Sequence, residues 1–146
     1  MTKLTIFSLC LLLCSSVVNA KEHIVNLKTT GNNGKMMVFE PMLLQISVGD
    51  TVNFIPSDTS HNAVSFSVPS DKSTFNTPYG KATKITFSEK GVVLVKCLPH
   101  FVMGMIGVIQ VGDDVDKTKA LADWNAIKDG VAMNKEAVDK ALAKIK

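Results

Sequence analysis

Gly91-Val92-Val93-Leu94-Val95-Lys96-Cys97-Leu98-Pro99-His100-Phe101-Val102-Met103-Gly104-Met105-Ile106-Gly107-Val108-Ile109-Gln110-Val111 reads as two apolar strands joined by a short loop. The loop, residues 97–105, carries one thiol, one imidazole and two thioethers. A lone Cys with His and Met is a soft donor set that suits copper, and it is too poor in thiolate for structural zinc. The segment therefore points to electron transfer rather than to catalysis or scaffolding.

Upstream of this pair, several short runs read as strands: 23–27, 42–48, 51–55 and 83–87 carry the two-residue alternation of half-buried strands, and 36–39 is a short apolar run. Gly31-Asn32-Asn33-Gly34, Glu40-Pro41, Gly49-Asp50 and Ser88-Glu89-Lys90-Gly91 separate them as turns. Seven or eight short strands at this spacing predict an all-β antiparallel sandwich or barrel. Residues 67–80, rich in Pro, Ser, Asp and Gly, read as a loop crossing between sheets.

Beyond Gly112 the period changes. Asp113-Asp114-Val115-Asp116 supplies capping groups and negative charge for a helix start, followed by Leu121, Trp124 and Ile127 at near-helical spacing. Asp129-Gly130 ends that helix. Asn134 is placed to cap a second one, with Val138, Leu142 and Ile145 on one face and Lys135, Asp139 and Lys144 away from it. Both helices are too short to be stable alone, so they are expected to pack on the sandwich.

The first twenty residues combine Lys3, an apolar core over 4–13 and the small residues Val18-Asn19-Ala20. This is the pattern of a secretory leader cut before Lys21. The apolar stretch is too short for a membrane span. The expected organisation is a leader over 1–20, a β-sandwich over 21–112, and a helical extension of the same domain over 113–146. Removing the leader removes Cys10 and Cys14 and leaves Cys97 as the single cysteine of the exported chain. An unpaired thiol in an exported protein needs a purpose, and metal coordination supplies one.

The chain has 16 Lys+Arg and 13 Asp+Glu, and every basic residue is Lys. Clustered Arg and Lys with aromatics, the footprint of nucleic-acid binding, is missing. A mild Lys excess fits transient docking on an acidic protein surface.

A copper electron-transfer site needs two imidazoles, one thiolate and a weak axial thioether. Cys97 and His100 provide two of these, and spacing alone leaves either Met103 or Met105 as the thioether. The second imidazole is His23 or His61. His61 is favoured, because Ser57-Asp58-Thr59-Ser60-His61-Asn62 follows an apolar strand, and Asn62 is placed to brace the Cys97 loop. His23 reads as a surface residue.

The order His-Asn, a long gap, then Cys-x2-His-x4-Met before a Gly-Val strand resembles the type 1 blue copper proteins of the cupredoxin family, and among them the pseudoazurins. Met37-Val38-Phe39-Glu40-Pro41, Gly49-Asp50-Thr51-Val52-Asn53-Phe54-Ile55-Pro56 and Val95-Lys96-Cys97-Leu98-Pro99-His100 carry the resemblance, as do the two C-terminal helices. It implies an eight-stranded Greek-key sandwich holding one copper ion, cycling between Cu(I) and Cu(II), at His61, Cys97, His100 and axial Met105. It further implies Asn62 as a bracing residue and Met37 beside the exposed ligand imidazole. The implied role is a monomeric periplasmic electron shuttle, not an enzyme, with no stable membrane association. Its transient partners would be redox proteins such as copper nitrite reductase or a c-type cytochrome. Pro99, Phe101, Met103 and Gly104 would form the docking patch, with Lys96 at its rim and Lys28, Lys35 and Lys81 as further steering charges. Thr59-Ser60 and Phe101-Val102 depart from the usual pattern, which bears on the partner rather than on the metal. A copper carrier or storage protein is the competing reading, arguable from Met36, Met37, Met42, Met103 and Met105.

Overall fold

The computed structural model describes residues 20–146, so the leader expected over residues 1–20 lies outside the described residues except for Ala20. Eight strands form two four-stranded sheets. One sheet has the order β2 (Met36–Glu40), β1 (Glu22–Thr30), β4 (Thr51–Pro56), β6 (Thr83–Thr86). The other has the order β3 (Leu43–Ile46), β8 (Ile106–Val111), β7 (Gly91–Lys96), β5 (Val64–Ser67). β1 runs antiparallel to β2 and parallel to β4, while β3 runs parallel to β8. Two helices follow, α1 (Thr118–Ile127) and α2 (Lys135–Ala143).

The apolar run of β7 is explained by burial on both faces. Val93, Val95 and Cys97 point into the space between the sheets, against Val25, Leu27, Phe39, Val52 and Phe54. Val92 and Leu94 point the other way, into a second core with Ile106, Val108, Trp124, Val138 and Leu142. A strand covered on both sides loses the polar half of its alternation. The helices are thus a third layer on the β3-β8-β7-β5 sheet, and Trp124, 0% exposed, donates from Nε1 to Asp139 Oδ1 at 2.6 Å. Asp139 is therefore turned toward α1 and not away from it, as the helical periodicity alone predicts.

β5 is a strand where alternation gave little sign of one. Val64-Ser65-Phe66-Ser67 is an edge strand whose pairing to β7 shifts register between Ser65 and Ser67, and short, serine-rich, bulged edges carry weak patterning. The helix starts also differ from expectation. α1 begins after Lys117, with Asp116 Oδ1 accepting from the Thr118 N–H at 2.8 Å. Asn134 does precede α2, but its side chain makes no capping bond. Among the described residues no helix is long and apolar enough to cross a membrane.

Candidate metal centre

Three segments bring the donors together at one end of the sandwich. β7 ends at Lys96 and delivers Cys97. A turn and a short 3₁₀ helix, Phe101–Met103, then fold His100 back toward it. The connection from β4 to β5 carries His61. The loop is closed by backbone bonds, Cys97 N–H to Met105 O at 3.1 Å and Met105 N–H to His100 O at 3.2 Å.

His61 Nδ1 lies 3.2 Å from His100 Nδ1 and 3.8 Å from Cys97 Sγ, and His100 Nδ1 lies 3.5 Å from Cys97 Sγ. In a triangle with these sides the point equidistant from the corners is about 2 Å from each, the length of a bond from a first-row metal to imidazole nitrogen. His61 and Cys97 are wholly buried and His100 is partly exposed. Two imidazoles and one thiol at this spacing fit a trigonal copper centre. Met105 is buried in the same core as Cys97, whereas Met103 is partly exposed on the 3₁₀ turn. His23 lies elsewhere, with Nε2 2.8 Å from Asp50 Oδ2.

The far side of His61 is braced, and so is the loop that carries Cys97. His61 Nε2 is 3.0 Å from Thr29 Oγ1 and 3.3 Å from Asp58 Oδ2, and Thr29 Oγ1 donates to the same Asp58 oxygen at 3.0 Å. This network assigns the proton to Nε2 and leaves Nδ1 as a free donor atom facing Cys97. Asn62 is buried, and its Oδ1 accepts from the Leu98 N–H at 3.0 Å, tying the His61 segment to the Cys97 loop.

Burial pushes the Cys97 thiol above its ordinary value, although the backbone N–H groups of Asn62 and His100 pull it down. Burial also holds the His61 imidazole below its ordinary value, with Asp58 opposing that shift and His100 adding to it. Asp58 is held far below the usual carboxylate range, first by the Ser60 hydroxyl and then by the Ser60 N–H. The site is thus arranged to keep His61 neutral and Asp58 charged.

A model of the family described as copper binding proteins, plastocyanin/azurin family, matches residues 25–112. A pseudoazurin of Paracoccus pantotrophus is 41% identical over 96 residues, covering 64% of this chain and 66% of that protein. The chain therefore spans just under two thirds of that relative's own length. The solved pseudoazurin of Methylobacterium extorquens AM1 superimposes with a TM-score of 0.69 at 32% identity, over 86% of this chain and 99% of that one. The native pseudoazurin of Hyphomicrobium denitrificans gives a TM-score of 0.66 at 30% identity, over 86% and 98%. The chain belongs to the plastocyanin/azurin family of copper-binding proteins, on its pseudoazurin branch.

Within this copper-protein frame the surface around His100 differs in detail from the sequence expectation. Pro99 is exposed, but Phe101 turns its ring toward Phe66, with centroids 6.1 Å apart. Lys96 Nζ sits over both rings, 4.8 Å from Phe101 and 5.5 Å from Phe66, so it is stacked rather than free at a rim. Gly104 is buried beneath the connection between the helices. Lys28 pairs with Glu40 at 2.6 Å, which leaves Lys35 and Lys81 as the exposed candidates for steering. The large apolar side chains in solvent near the loop are instead Leu98, Val102, Met36 and Met133, at 43%, 56%, 47% and 39% exposure.

Three contributors escaped sequence reasoning. Thr29 is 32 residues from His61 and reaches it through the parallel β1–β4 pairing. Asp58 is signalled only by the Asp-Thr-Ser turn that precedes His61. Asn134 donates from Nδ2 to Met36 O at 3.2 Å and to Met103 O at 3.5 Å, joining the helical layer to the ligand loop.

Proposed function

We propose that this protein is a periplasmic carrier of single electrons that would hold one copper ion through His61, Cys97 and His100, with the buried Met105 thioether as the fourth donor. The observation that carries the reading is the triangle of Nδ1, Sγ and Nδ1 atoms, braced by Thr29, Asp58 and Asn62. When bound, copper supplies a one-electron Cu(II)/Cu(I) couple. The chain supplies rigidity. Donors on strand ends and braced turns move little when charge changes, which favours fast exchange over storage.

The wholly buried His61 and Cys97 put the centre out of reach of water, and the partly exposed His100 edge gives the electron its way out. Four protein donors leave no open position for a substrate, which supports a carrier rather than an enzyme. Leu98, Pro99 and Val102 surround the His100 side with apolar surface suited to brief docking on a redox protein, such as copper nitrite reductase or a c-type cytochrome. Residues 1–20 serve as the export leader, and the mature chain acts as a monomer.

The deciding experiment is the visible absorption and electron paramagnetic resonance spectrum of residues 21–146 after Cu(II) addition. An intense thiolate-to-copper band with narrow hyperfine splitting is the expected result. A weak, broad spectrum, or bleaching as Cys97 oxidises, would favour a copper carrier or store.

A further inference from the structure

At the end of the sandwich away from the Cys97 loop, the turn between β3 and β4 buries a carboxylate. Asp50 is 2% exposed. Its Oδ1 accepts from the backbone N–H of Lys21 at 2.8 Å, and its Oδ2 accepts from the Ser47 N–H at 3.0 Å and contacts His23 Nε2 at 2.8 Å. Lys21 is pinned from its other side as well, because its carbonyl accepts from the Thr51 N–H at 2.9 Å. The β1–β4 ladder begins at the next residue, with Glu22 opposite Thr51. The residue that the leader pattern places first in the exported chain therefore has its main-chain nitrogen already fixed on a buried anion. Ala20 and the Lys21 side chain are exposed, so the bond between them lies at the surface.

We infer that Asp50 is the binding site for the chain's own new amino terminus: cleavage between Ala20 and Lys21 turns a neutral amide N–H into an α-ammonium that ion-pairs with the buried carboxylate and locks the fold. The inference rests on the leader reading given under the proposed function. In the cleavage, water adds across the Ala20–Lys21 amide. Ala20 leaves with a carboxylate, and the Lys21 nitrogen keeps the bonding pair and gains protons to become the ammonium. Nothing else in the contact need move, since the nitrogen is already at hydrogen-bond distance.

The gain is electrostatic. The amide N–H already makes a charge-assisted bond to the Asp50 anion, and an ammonium adds a full positive charge and further donors at the same nitrogen, which turns that bond into an ion pair. The carboxylate is ready for this role. The Lys21 N–H first, then His23 and the Ser47 N–H, hold Asp50 down to about 2. The other charged groups around this hollow are the Lys21 side chain, Asp113 and Lys146. The uncut chain has the Asp50 anion without its full partner, so it is the less stable form until the leader is removed.

The sign of the pH dependence follows. A free α-amine titrates near 7.7–8.0, and pairing with Asp50 raises that value in the folded state. The stabilisation is complete below about pH 7.7 and is lost as pH rises through the raised folded value.

The test compares metal-free chains with defined termini: residues 21–146 with a free amine, the same chain acetylated at the Lys21 α-nitrogen, and residues 20–146. Melting is followed between pH 6 and pH 10. The free-amine chain is expected to melt higher than both others at pH 7, by about 3 °C or more, with the gap closing toward pH 10. Asp50→Asn is expected to abolish the gap; if that variant does not fold, the acetylated chain still decides. Equal melting at pH 7, or a gap unchanged at pH 10, overturns the pairing. The mass of the exported protein separates the two layers of the argument, since an amino terminus other than Lys21 overturns the inference through the leader reading alone.

Discussion

Gly104 lies directly beneath Met133. A β-carbon on Gly104 would stand 2.1 Å from the Met133 carbonyl oxygen, and the residue has φ +75°. Only glycine satisfies both conditions. The contact puts the connection between α1 and α2 against the loop that holds the copper ligands, and the Ala132 N–H to Val102 O bond at 2.7 Å reinforces it.

Gly104→Ala is therefore expected to do more than add backbone strain. Strain of this kind costs about 1–3 kcal/mol, and the methyl must also push the helical connection away. Denaturant titration should show a loss of at least about 2 kcal/mol. The thiolate-to-copper band should shift at the same time, because His100 and Met105 sit on either side of the displaced residue.

Asn134 makes a separable version of the same test. Its φ of 58° is left-handed, so Asn134→Gly keeps the backbone comfortable and removes only the amide that reaches Met36 O and Met103 O. The expected cost is about 1 kcal/mol, together with a slower electron self-exchange rate, since the ligand loop has lost a tie to the helical layer. An unchanged exchange rate with the same stability loss would make Asn134 a purely structural link. Asn134→Ala should be worse than Asn134→Gly, because alanine resists this conformation.

These contacts show where the sequence is legible. Gly91–Lys96 announces a strand, and its unbroken apolar character is the trace of two covered faces. Cys97 and His100 are close in sequence, so a single turn joins them and their partnership is readable. His61 is readable because an apolar strand and Asn62 flank it. Thr29 is not, since its role arises from β1 pairing in parallel with β4, a long-range event with no local pattern. Asn134 was readable as a helix-start residue, yet its side chain serves the ligand loop. Propensity reports the backbone position of such a residue and says nothing of what its side chain touches.

Thr29→Val tests the His61 brace. The substitution keeps the strand and the shape but removes the acceptor for Nε2–H, leaving Asp58 at 3.3 Å as the remaining partner. Partners behind a ligand histidine typically contribute 10–100-fold to metal affinity. Competition with a chelator should show a loss in that range, with the fold intact by circular dichroism. An affinity equal to that of the parent would assign the orientation of His61 to packing alone.

The raised Cys97 thiol and the lowered His61 imidazole act in opposite directions on metal binding near neutral pH. Only the deprotonated thiolate binds metal, so copper must displace the Cys97 proton, while His61 is already neutral near pH 7. Below the raised thiol value, affinity for Cu(I) should fall about tenfold per pH unit, the slope for one proton. Chelator competition at pH 7, 7.5 and 8 measures it. A slope near zero would mean that the thiol is ionised in the metal-free protein despite its burial.

The last expectation concerns the unity of the molecule. Trp124 is the single tryptophan and sits at the centre of the helical layer, 0% exposed, whereas the copper chromophore belongs to the opposite side of β7. β7 joins them, because Val92 and Leu94 face Trp124's core while Val93, Val95 and Cys97 face the site. If residues 113–146 extend the same domain, melting followed by Trp124 fluorescence and by the visible band should coincide in one transition. Trp124→Phe removes the Nε1 bond to Asp139 and part of the side-chain volume, and should lower both curves together by about 1–2 kcal/mol. Two separate transitions, with only the fluorescence curve sensitive to a change such as Asp139→Ala, would instead make the helical layer a unit that can leave while the copper site stays folded.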